Sequence, residues 1–374
     1  MDQNRHGTGT PGVEGEVVVA VLTPQGRGAL AVVGVAGQGA AGIADELFAS
    51  RSGRPVAERP NDTLAFGRWG GDRGEDVVIV RHAADRLEVH CHGGVAAAAA
   101  IVAGLVARGG REIAWQEWLA TVAAAGGEVA VEAREALAVA GGPRAAQILC
   151  RQLAGSLDDE RQRITRLVAA GDVAAARAAG ERLLKAARVG LRLTRPWRVV
   201  VAGNVNAGKS SLVNALAGHA RAIVSPQPGT TRDVLETRIV LEGWEVDLID
   251  TAGERGPDAP AGPVEAAGIA RAAAAAATAD LVLRVVPADD GRGATLPGPR
   301  ELTVISKCDL VAAEDQAWPA AAVPTSATTG QGIATLASRI VAAVVPEAAD
   351  PLLLTGPVPF TMRQFEAIQT LCGL

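Results

Sequence analysis

The sequence predicts an α/β fold class, in which a doubly wound sheet is combined with an N-terminal α+β domain and a helical segment. Three observations predict it. Residues 198–345 alternate strand-like and helical runs, as a sheet with helices on both faces requires. Residues 128–195 carry apolar side chains at three-to-four spacing, which indicates helices. Residues 17–91 contain β-rich runs separated by glycine and proline turns.

The elements follow from these patterns. Strands are expected at Val17–Leu22, Ala29–Val35, Asp76–His82, Leu87–Cys91, Arg198–Ala202, Thr237–Leu241, Glu245–Asp250, Leu281–Val286, Leu302–Ser306 and Ala322–Pro324. Gly171-Asp172 marks a break between two helices, and the last predicted helices are Ile333–Val345 and Met362–Cys372.

Composition limits the class of protein. The chain has 374 residues, enough for two or three domains, and its net charge of −5 argues against a basic coat for nucleic acid. The four cysteines show no metal-ligand or redox spacing, so reduced thiols are expected. The polar start holds no apolar signal core, and the longest apolar run, Val95–Ala107, is too short to span a bilayer. We expect a soluble cytoplasmic protein.

The segment Arg198–Leu212 carries the strongest motif. A short apolar strand leads into Gly203-Asn-Val-Asn-Ala-Gly208-Lys209-Ser210 and then into a helix. This G-x-x-x-x-G-K-S spacing is the phosphate-loop pattern, in which backbone N–H groups and the helix N-terminus surround a polyphosphate. Lys209 can reach the β- and γ-phosphates, and the Ser210 hydroxyl can ligate Mg²⁺. The chain is therefore predicted to bind a nucleoside triphosphate.

Two later motifs suit a nucleotide-dependent switch. Asp250-Thr251-Ala252-Gly253 follows a strand, where Asp250 can hold the magnesium shell and the Gly253 N–H can sense the γ-phosphate. Gly229-Thr230-Thr231-Arg-Asp233 lies on a loop, and Thr231 is suited to be the second protein ligand of Mg²⁺. Glu254 stands where a Ras-like enzyme has a water-orienting glutamine, and we interpret it as a solvated residue.

The base is predicted to be guanine. Ser306-Lys307-Cys308-Asp309 follows a strand where GTPases usually carry Asn-Lys-x-Asp, and Asp309 can accept two hydrogen bonds from guanine N1 and N2. The stem of Lys307 can cover the base, and the segment Thr325-Ser326-Ala327 can offer a backbone N–H to guanine O6. Ser306 replaces the usual asparagine, and we expect this to loosen the link between this loop and the phosphate loop.

The segment His90-Cys91-His92 also invites a metal assignment. Alternation along a strand places the two histidines on one face and Cys91 on the other. We favour a structural or substrate-facing turn.

Residues 151–198 have a net charge of +6 from eleven basic and five acidic residues (11 − 5). A solvated helix face is favoured over an RNA contact there.

With these residues in view, the chain resembles the MnmE/TrmE family of tRNA-modification GTPases. Thr23-Pro-Gln-Gly-Arg-Gly28 and Leu87-Glu-Val-His-Cys-His-Gly-Gly94 are similar to motifs of the family's folate-binding domain. Asn206–Ala217, Gly229–Val234 and Asp250–Gly253 match its GTPase domain. The expected domains are a disordered lead (1–15), a folate-binding-like domain (16–125), a helical domain (126–196), a phosphate-loop GTPase domain (197–346), and a linker with a short C-terminal helix (347–374).

The resemblance implies a potassium-activated GTPase. Asn206, Ser225, Gln227 and Thr230 would hold K⁺, and Glu265 in Val264-Glu265-Ala-Ala-Gly268 would orient the attacking water. The implied catalytic residues are Glu265, Lys209 and Thr231. The implied GTP-binding residues are Asn206, Ala207, Gly208, Lys209, Ser210, Ser211, Ser225, Thr230, Thr231, Asp250, Thr251, Ala252, Gly253, Ser306, Lys307, Asp309, Ser326 and Ala327.

The N-terminal part departs from the family. Glu88 of the folate-like site is retained, but Gly34 stands where the family has a folate-binding arginine. The family's Arg-Pro-Gly-Glu-Phe motif and its following lysine are not found in residues 109–142. The end, Thr370-Leu-Cys372-Gly-Leu374, lacks the lysine of the family's Phe-Cys-x-Gly-Lys tail and the family's further helices, so we expect a C-terminally truncated member.

Three functions follow as hypotheses. The first is an enzyme of tRNA wobble-uridine modification that uses GTP, Mg²⁺, K⁺ and 5-formyltetrahydrofolate, with tRNA and an MnmG-like flavoprotein as partners and a homodimer as its assembly. The second is a GTPase switch in RNA- or ribosome-linked regulation that has lost the folate and modification chemistry. The third is a paralogue that binds GTP and hardly hydrolyses it.

Overall fold

The computed structural model describes residues 16–24, 28–71, 74–122, 127–220, 235–250, 277–290, 298, 300–312 and 316–374. The chain divides into two compact units, Met1–Glu135 and Ala136–Leu374. Both mix helices and sheet, which confirms the α/β class. In the described part of the chain, no helix has the length and apolar character needed to cross a membrane.

The first unit is built on a seven-stranded sheet. Its strands are β1 (Val18–Val21), β2 (Leu30–Ala36), β3 (Phe48–Ser50), β4 (Thr63–Trp69), β5 (Glu75–Ala83), β6 (Arg86–His92) and β7 (Arg111–Glu112). Their order across the sheet is β3-β4-β5-β6-β2-β1-β7. All pairs are antiparallel except β1 with β7. The four strands expected from the sequence are confirmed, and β3, β4 and β7 are additional.

Helices cover both faces of this sheet. They are α1 (Ala40–Asp45), α2 (Val95–Val106) and α3 (Trp115–Val122), and α4 (Gly127–Val139) follows them in the chain. One face packs Val33, Leu87 and Val89 against Ile101 and Leu105 of α2. The other face packs apolar side chains of β1 and β2 against Trp118 of α3. Alternation along the strands therefore serves two cores.

Trp118 packs against Gly34 in the core that β1 and β2 form with α3. A Cβ built on Gly34 would lie 2.5 Å from the Trp118 ring, and Trp118 is only 4% exposed. The indole thus packs directly on the backbone of β2. Glycine is required at this position because any side chain would displace a buried aromatic ring.

We expect Gly34→Ala to destabilise the first unit by about 1–3 kcal/mol, because the added methyl overpacks the Trp118 contact. Urea unfolding followed by circular dichroism measures the loss. Gly42→Ala in α1 is the matched control, since a Cβ there meets no described atom within 4 Å and alanine favours helix. Equal stability of the two variants would contradict the packing described.

The helical part of the second unit contains α5 (Pro143–Leu153), α6 (Ser156–Ala169) and α7 (Val173–Gly190). The predicted break at Gly171-Asp172 is confirmed: Asp172 caps α7 by accepting the Ala175 N–H at 3.1 Å. The chain ends in α10 (Pro351–Thr355) and α11 (Met362–Cys372). Helix α11, which coincides with the predicted one, packs on α6 and α7. Gly180 allows the close approach, because its Cβ would lie 2.5 Å from Cys372 Sγ.

A six-stranded sheet forms the rest of the second unit. Its elements are β8 (Trp197–Gly203), α8 (Lys209–His219), β9 (Leu235–Leu241), β10 (Trp244–Asp250), β11 (Leu281–Pro287), β12 (Glu301–Ser306), β13 (Val323–Pro324) and α9 (Ile333–Val344). The strand order is β13-β12-β11-β8-β10-β9, and of these strands only β9 runs antiparallel. All six strands expected from the sequence are confirmed. The carboxyl ends of the parallel strands meet at one edge, where such sheets bind ligands.

Candidate nucleotide site

The phosphate loop connects the central strand β8 to α8. Its backbone requires small or left-handed residues: Gly208 has φ 85° and Asn206 has φ 63°. A Cβ on Gly203 would lie 2.4 Å from the Val285 carbonyl oxygen. Among the described residues, no side chain caps the N-terminus of α8. The N–H groups of its first turn are therefore suited to bind an anion.

Lys209 lies over this loop. Its Nζ donates to the Gly203 and Asn204 carbonyls, each at 2.9 Å. The residue is only 7% exposed. Burial lowers the pKa of Lys209, and the nearby Asp250 carboxylate partly offsets that shift. The ammonium group is thus held within the phosphate loop.

Ser210 and Asp250 meet at the start of α8. The Ser210 hydroxyl donates to the Asp250 carboxylate at 2.6 Å. Asp250 reaches this point because β10 runs parallel to β8, with Asp250 opposite Val201. A hydroxyl and a carboxylate are hard oxygen donors of the kind that Mg²⁺ binds, directly or through water. The donor set therefore fits the ion that the sequence implies.

The guanine loop is tied to the phosphate loop. Ser306, at the end of β12, donates from Oγ to the Ala207 carbonyl at 2.6 Å. The next residue, Lys307, donates from Nζ to the Asn206 carbonyl at 2.7 Å. Serine therefore keeps a buried bond to the phosphate loop, and the expectation that this link is looser than one made by asparagine stays a prediction. The loops are close: Cβ and Oγ of Ser306 lie 3.8 Å from the Cβ position of Gly208.

Asp309 and Ala327 complete the described part of the base site. Asp309 lies in a 3₁₀ turn, Cys308–Leu310, with an exposed side chain. The adjoining loop is pinned by the Cys308 N–H, which donates to the Thr325 carbonyl at 3.1 Å. The Ser326 N–H donates to the Gln331 carbonyl at 3.0 Å. That N–H is used within the loop, so the exposed Ala327 is the better donor to guanine O6.

Nine residues named from the sequence lie outside the described residues. They comprise the expected potassium ligands other than Asn206, the second magnesium ligand, the segment after Asp250 and the water-orienting glutamate: Ser225, Gln227, Thr230, Thr231, Thr251, Ala252, Gly253, Glu254 and Glu265. Ser211 is described and lies exposed in the first turn of α8.

In the first unit, the two motifs that resemble a folate domain meet at their glycines. A Cβ on Gly93 would lie 1.9 Å from the Gly28 carbonyl oxygen, so the two backbones are in direct contact. A cleft of about 290 Å³ lies beside them, between β1, β2 and α2. Glu88 is not part of this cleft. Its neighbours Leu87 and Val89 face α2, so Glu88 lies on the opposite face of the sheet.

Two imidazoles lie close to Glu88. His90 Nε2 is hydrogen-bonded to one carboxylate oxygen at 3.1 Å, and His82 Nε2 lies 3.3 Å from the other without forming a hydrogen bond among the described residues. Gly34 is directly opposite Glu88 on β2, beneath the Trp118 ring. Cys91 is buried on the other face, and His92 pairs with Glu75. The sequence did not single out Trp118, since nothing local links it to Gly34.

Comparisons with known proteins agree with the nucleotide site. The family model described as 50S ribosome-binding GTPase matches residues 198–308. A protein named tRNA modification GTPase MnmE from Symbiobacterium thermophilum is 34% identical, covering 95% of this chain and 87% of that protein. A protein of the same name from Thermus thermophilus is 32% identical, covering 94% of this chain and 86% of its own length.

Solved structures give more distant likenesses. The G domain of the T. maritima FeoB iron transporter is 24% identical, with a TM-score of 0.26, over 40% of this chain and 99% of that chain. Aquifex aeolicus Era bound to GDP·AlF₄⁻ is 23% identical, with a TM-score of 0.29, over 38% of this chain and 55% of that chain. Likenesses this distant carry no functional information.

Proposed function

This chain belongs to the tRNA modification GTPase MnmE family, and on that premise we propose that it couples potassium-assisted GTP hydrolysis to tRNA modification. It is a GTP-binding and GTP-hydrolysing enzyme. The observation that supports this best is the meeting of three elements around Asn206–Ser210: the lysine of the phosphate loop, the Ser210–Asp250 pair and the Ser306–Lys307 tie. Together they support a site for phosphate, magnesium and guanine.

Each side chain has a distinct role in this proposal. Lys209 binds the β- and γ-phosphates with a charge that needs no reorganisation during the reaction. Ser210 and Asp250 hold Mg²⁺, which neutralises charge on the phosphates when bound. Asp309 accepts from guanine N1 and N2, Lys307 covers the base, and Ala327 donates to O6. These contacts position the terminal phosphate for attack by water, because hydrolysis depends mainly on positioning and electrostatics.

The remaining roles rest on family resemblance. Thr231 is the second magnesium ligand, Gly253 donates to the γ-phosphate from its backbone, and Glu265 orients the water. Thr251 and Ala252 belong to the same nucleotide-binding segment. K⁺ is held by Asn206 with three further residues, Ser225, Gln227 and Thr230. Lys307 donates to the Asn206 backbone carbonyl, and the side-chain amide oxygen of Asn206 would be its ligand for K⁺.

The potassium proposal predicts that GTP turnover in KCl exceeds turnover in NaCl by about tenfold, because the cation neutralises charge that develops on the phosphates. Asn206→Ala should remove most of this difference. Asn214→Ala is the matched control, since Asn214 is exposed further along α8. Phosphate release in the two salts, at equal ionic strength, measures both effects. Equal rates in the two salts for the unchanged chain would reject the potassium proposal.

The first unit does not fit the reduced folate that the resemblance implies. The position of the family's arginine is Gly34, and the Trp118 ring occupies the space of any side chain there. The retained carboxylate, Glu88, is hydrogen-bonded to His90, and His82 Nε2 lies 3.3 Å from it. We therefore propose that this face of the sheet does not hold 5-formyltetrahydrofolate in the family's manner.

The substrate and partners follow from the family. The proposed substrate of the modification is the wobble uridine of tRNA, with an MnmG-like flavoprotein as partner and a homodimer as the assembly. The similarity to MnmE proteins over nearly the whole chain supports this function over a regulatory switch or an inactive paralogue. We propose a cytoplasmic location, which accords with a role in tRNA modification. The finer domain boundaries, at residues 125, 196 and 346, stay predictions.

A further inference from the structure

The first unit contains a cleft that takes no part in the nucleotide site. It runs along α2 against β1 and β2, and Glu112 of β7 also lines it; we call it the α2 cleft. We propose that the α2 cleft binds a small apolar amine. This inference is independent of the proposed function, because it concerns neither the nucleotide nor the face of the sheet that carries Glu88.

Small side chains on α2 leave the cleft open. The residues of α2 that line it recur at three- and four-residue spacing, so they form one stripe of the helix: Val95, Ala98, Ala99, Val102, Ala103 and Val106. Ala98 and Val102 are buried, whereas Ala99 and Ala103 are exposed. The cleft therefore has an apolar floor and opens to solvent. Its volume of about 290 Å³ is near the lower end of the range for small-molecule sites.

Glu112 is the charged group of this cleft. The other described residues that line it are apolar or small, apart from Thr23, and include no lysine, arginine or histidine. Glu112 is paired with Val19 across the β1–β7 ladder, and the Val19 side chain is buried on the α2 face of the sheet. Residues directly opposite on neighbouring strands share a face. The Glu112 side chain therefore lies on the α2 face as well.

The arginines next to Glu112 in the chain have other partners. Arg108 pairs with Glu46, and Arg111 pairs with Glu16 and Glu117. Among the described residues, no cation pairs with the Glu112 carboxylate. The α2 cleft thus presents a negative charge that a cationic ligand would neutralise.

The edge of β1 offers a second acceptor. The Val17 and Val19 carbonyls accept from the Arg111 and Ile113 N–H groups, each at 2.8 Å. Alternate residues direct their backbone groups to the same side of a strand, so the Val21 carbonyl points to this side too. Pairing with β7 ends at Val19, and no described strand reaches Val21 there. Val21 is half-buried and lines the cleft, so its carbonyl gains a partner from a ligand that donates to it.

These features together select the ligand. An ammonium group donates up to three hydrogen bonds, and the Glu112 carboxylate and the Val21 carbonyl accept two of them. The apolar body of the ligand replaces water over the alanines of α2. An anionic ligand would meet the charge of Glu112 without a basic side chain among the described residues of the cleft to offset it. The chemistry therefore favours an apolar amine over an apolar acid.

The test is a ligand-observed NMR titration of the full chain with 4-phenylbutylamine and with 4-phenylbutanol. The two probes share one apolar body, and the second carries a hydroxyl in place of the ammonium group. We expect the amine to bind with a dissociation constant of about 1 mM, as suits a ligand of about eleven non-hydrogen atoms. The alcohol should bind about fivefold more weakly, which is the contribution of an exposed ion pair. Glu112→Gln should weaken the amine about fivefold and leave the alcohol unchanged.

A second variant tests the cleft itself. Ala103→Leu places a larger side chain where the ligand body would lie, so both probes should bind at least about tenfold more weakly. Ala100→Leu is the matched control, because Ala100 is exposed on the same helix and does not line the cleft. Leucine is a good helix former, so both variants are expected to fold, and circular dichroism checks this. If Ala103→Leu does not fold, Ala99→Leu replaces it.

Three results would overturn the proposal. The first is the absence of saturable binding of 4-phenylbutylamine to the unchanged chain. The second is an equal loss of both probes in Glu112→Gln, and the third is an equal effect of Ala103→Leu and Ala100→Leu. None of these results bears on GTP hydrolysis, which depends on the other unit, so failure of this inference and failure of the proposed function are distinguishable.

Discussion

Lys209→Met is expected to weaken GTP binding by at least about 100-fold and to abolish hydrolysis. The variant keeps an apolar stem in the pocket and removes the ammonium that the loop holds through the Gly203 and Asn204 carbonyls. Two charge-assisted hydrogen bonds to phosphates contribute about 1.5–3 kcal/mol each, and each 1.4 kcal/mol is about tenfold in affinity. Equilibrium titration with GTP measures the binding loss.

The lowered pKa of Lys209 also predicts that GTP binding depends on pH. Burial lowers the pKa of Lys209 in the free protein, so it loses its proton at a lower pH than an exposed lysine. GTP affinity should therefore fall as the pH rises into the alkaline range.

Lys185→Met is the control for the Lys209→Met substitution, because Lys185 is exposed on α7. A Lys209→Met variant that binds GTP as the unchanged chain does would show that this loop does not hold the phosphates.

Asp309→Asn is expected to exchange the base preference. In the proposed site the Asp309 carboxylate accepts from the N1 and N2 groups of guanine, and an amide cannot accept both bonds. GTP affinity should fall about 100-fold, because one donor on the base loses its charged acceptor. Xanthine nucleotides carry an oxygen where guanine has its amino group, so the amide N–H₂ can donate to them. Xanthosine triphosphate should bind the variant better than GTP.

Competition between GTP and xanthosine triphosphate measures the exchange. Asp159→Asn is a matched control, since Asp159 is an exposed aspartate in the first turn of α6. A parallel loss of both nucleotides in Asp309→Asn would indicate a structural role for the turn Cys308–Leu310. An unchanged preference for GTP would mean that another residue reads the base.

The nucleotide site was largely predictable because its residues follow strands in a fixed order. Parallel strands bring their carboxyl ends together, so Gly203, Asp250 and Ser306 were expected at one edge and are found there. The direction of the Ser306 bond was not predictable. The bond joins residues that are 99 positions apart, and the motif alone shows only that serine replaces asparagine.

The first unit shows a different limit. Strand β4 carries apolar residues on both faces, with Leu64 and Phe66 exposed and Ala65 and Trp69 buried. The sequence of β4 therefore lacks the alternation of apolar and polar residues that identifies a half-buried strand. The packing of Trp118 on Gly34 arises only when β2 and α3 are brought together. In the sequence, Gly34 stands where the family has an arginine. In the structure, the Trp118 ring fills the space that an arginine side chain would need.

The most direct test of the central claim is hydrolysis of radiolabelled GTP by the purified chain in KCl and MgCl₂, with and without excess unlabelled ATP. Asp309 and the tied loops predict that phosphate is released from GTP and that excess ATP does not slow the reaction. Release of phosphate from ATP at the same rate, or inhibition by ATP equal to that by unlabelled GTP, would contradict the account.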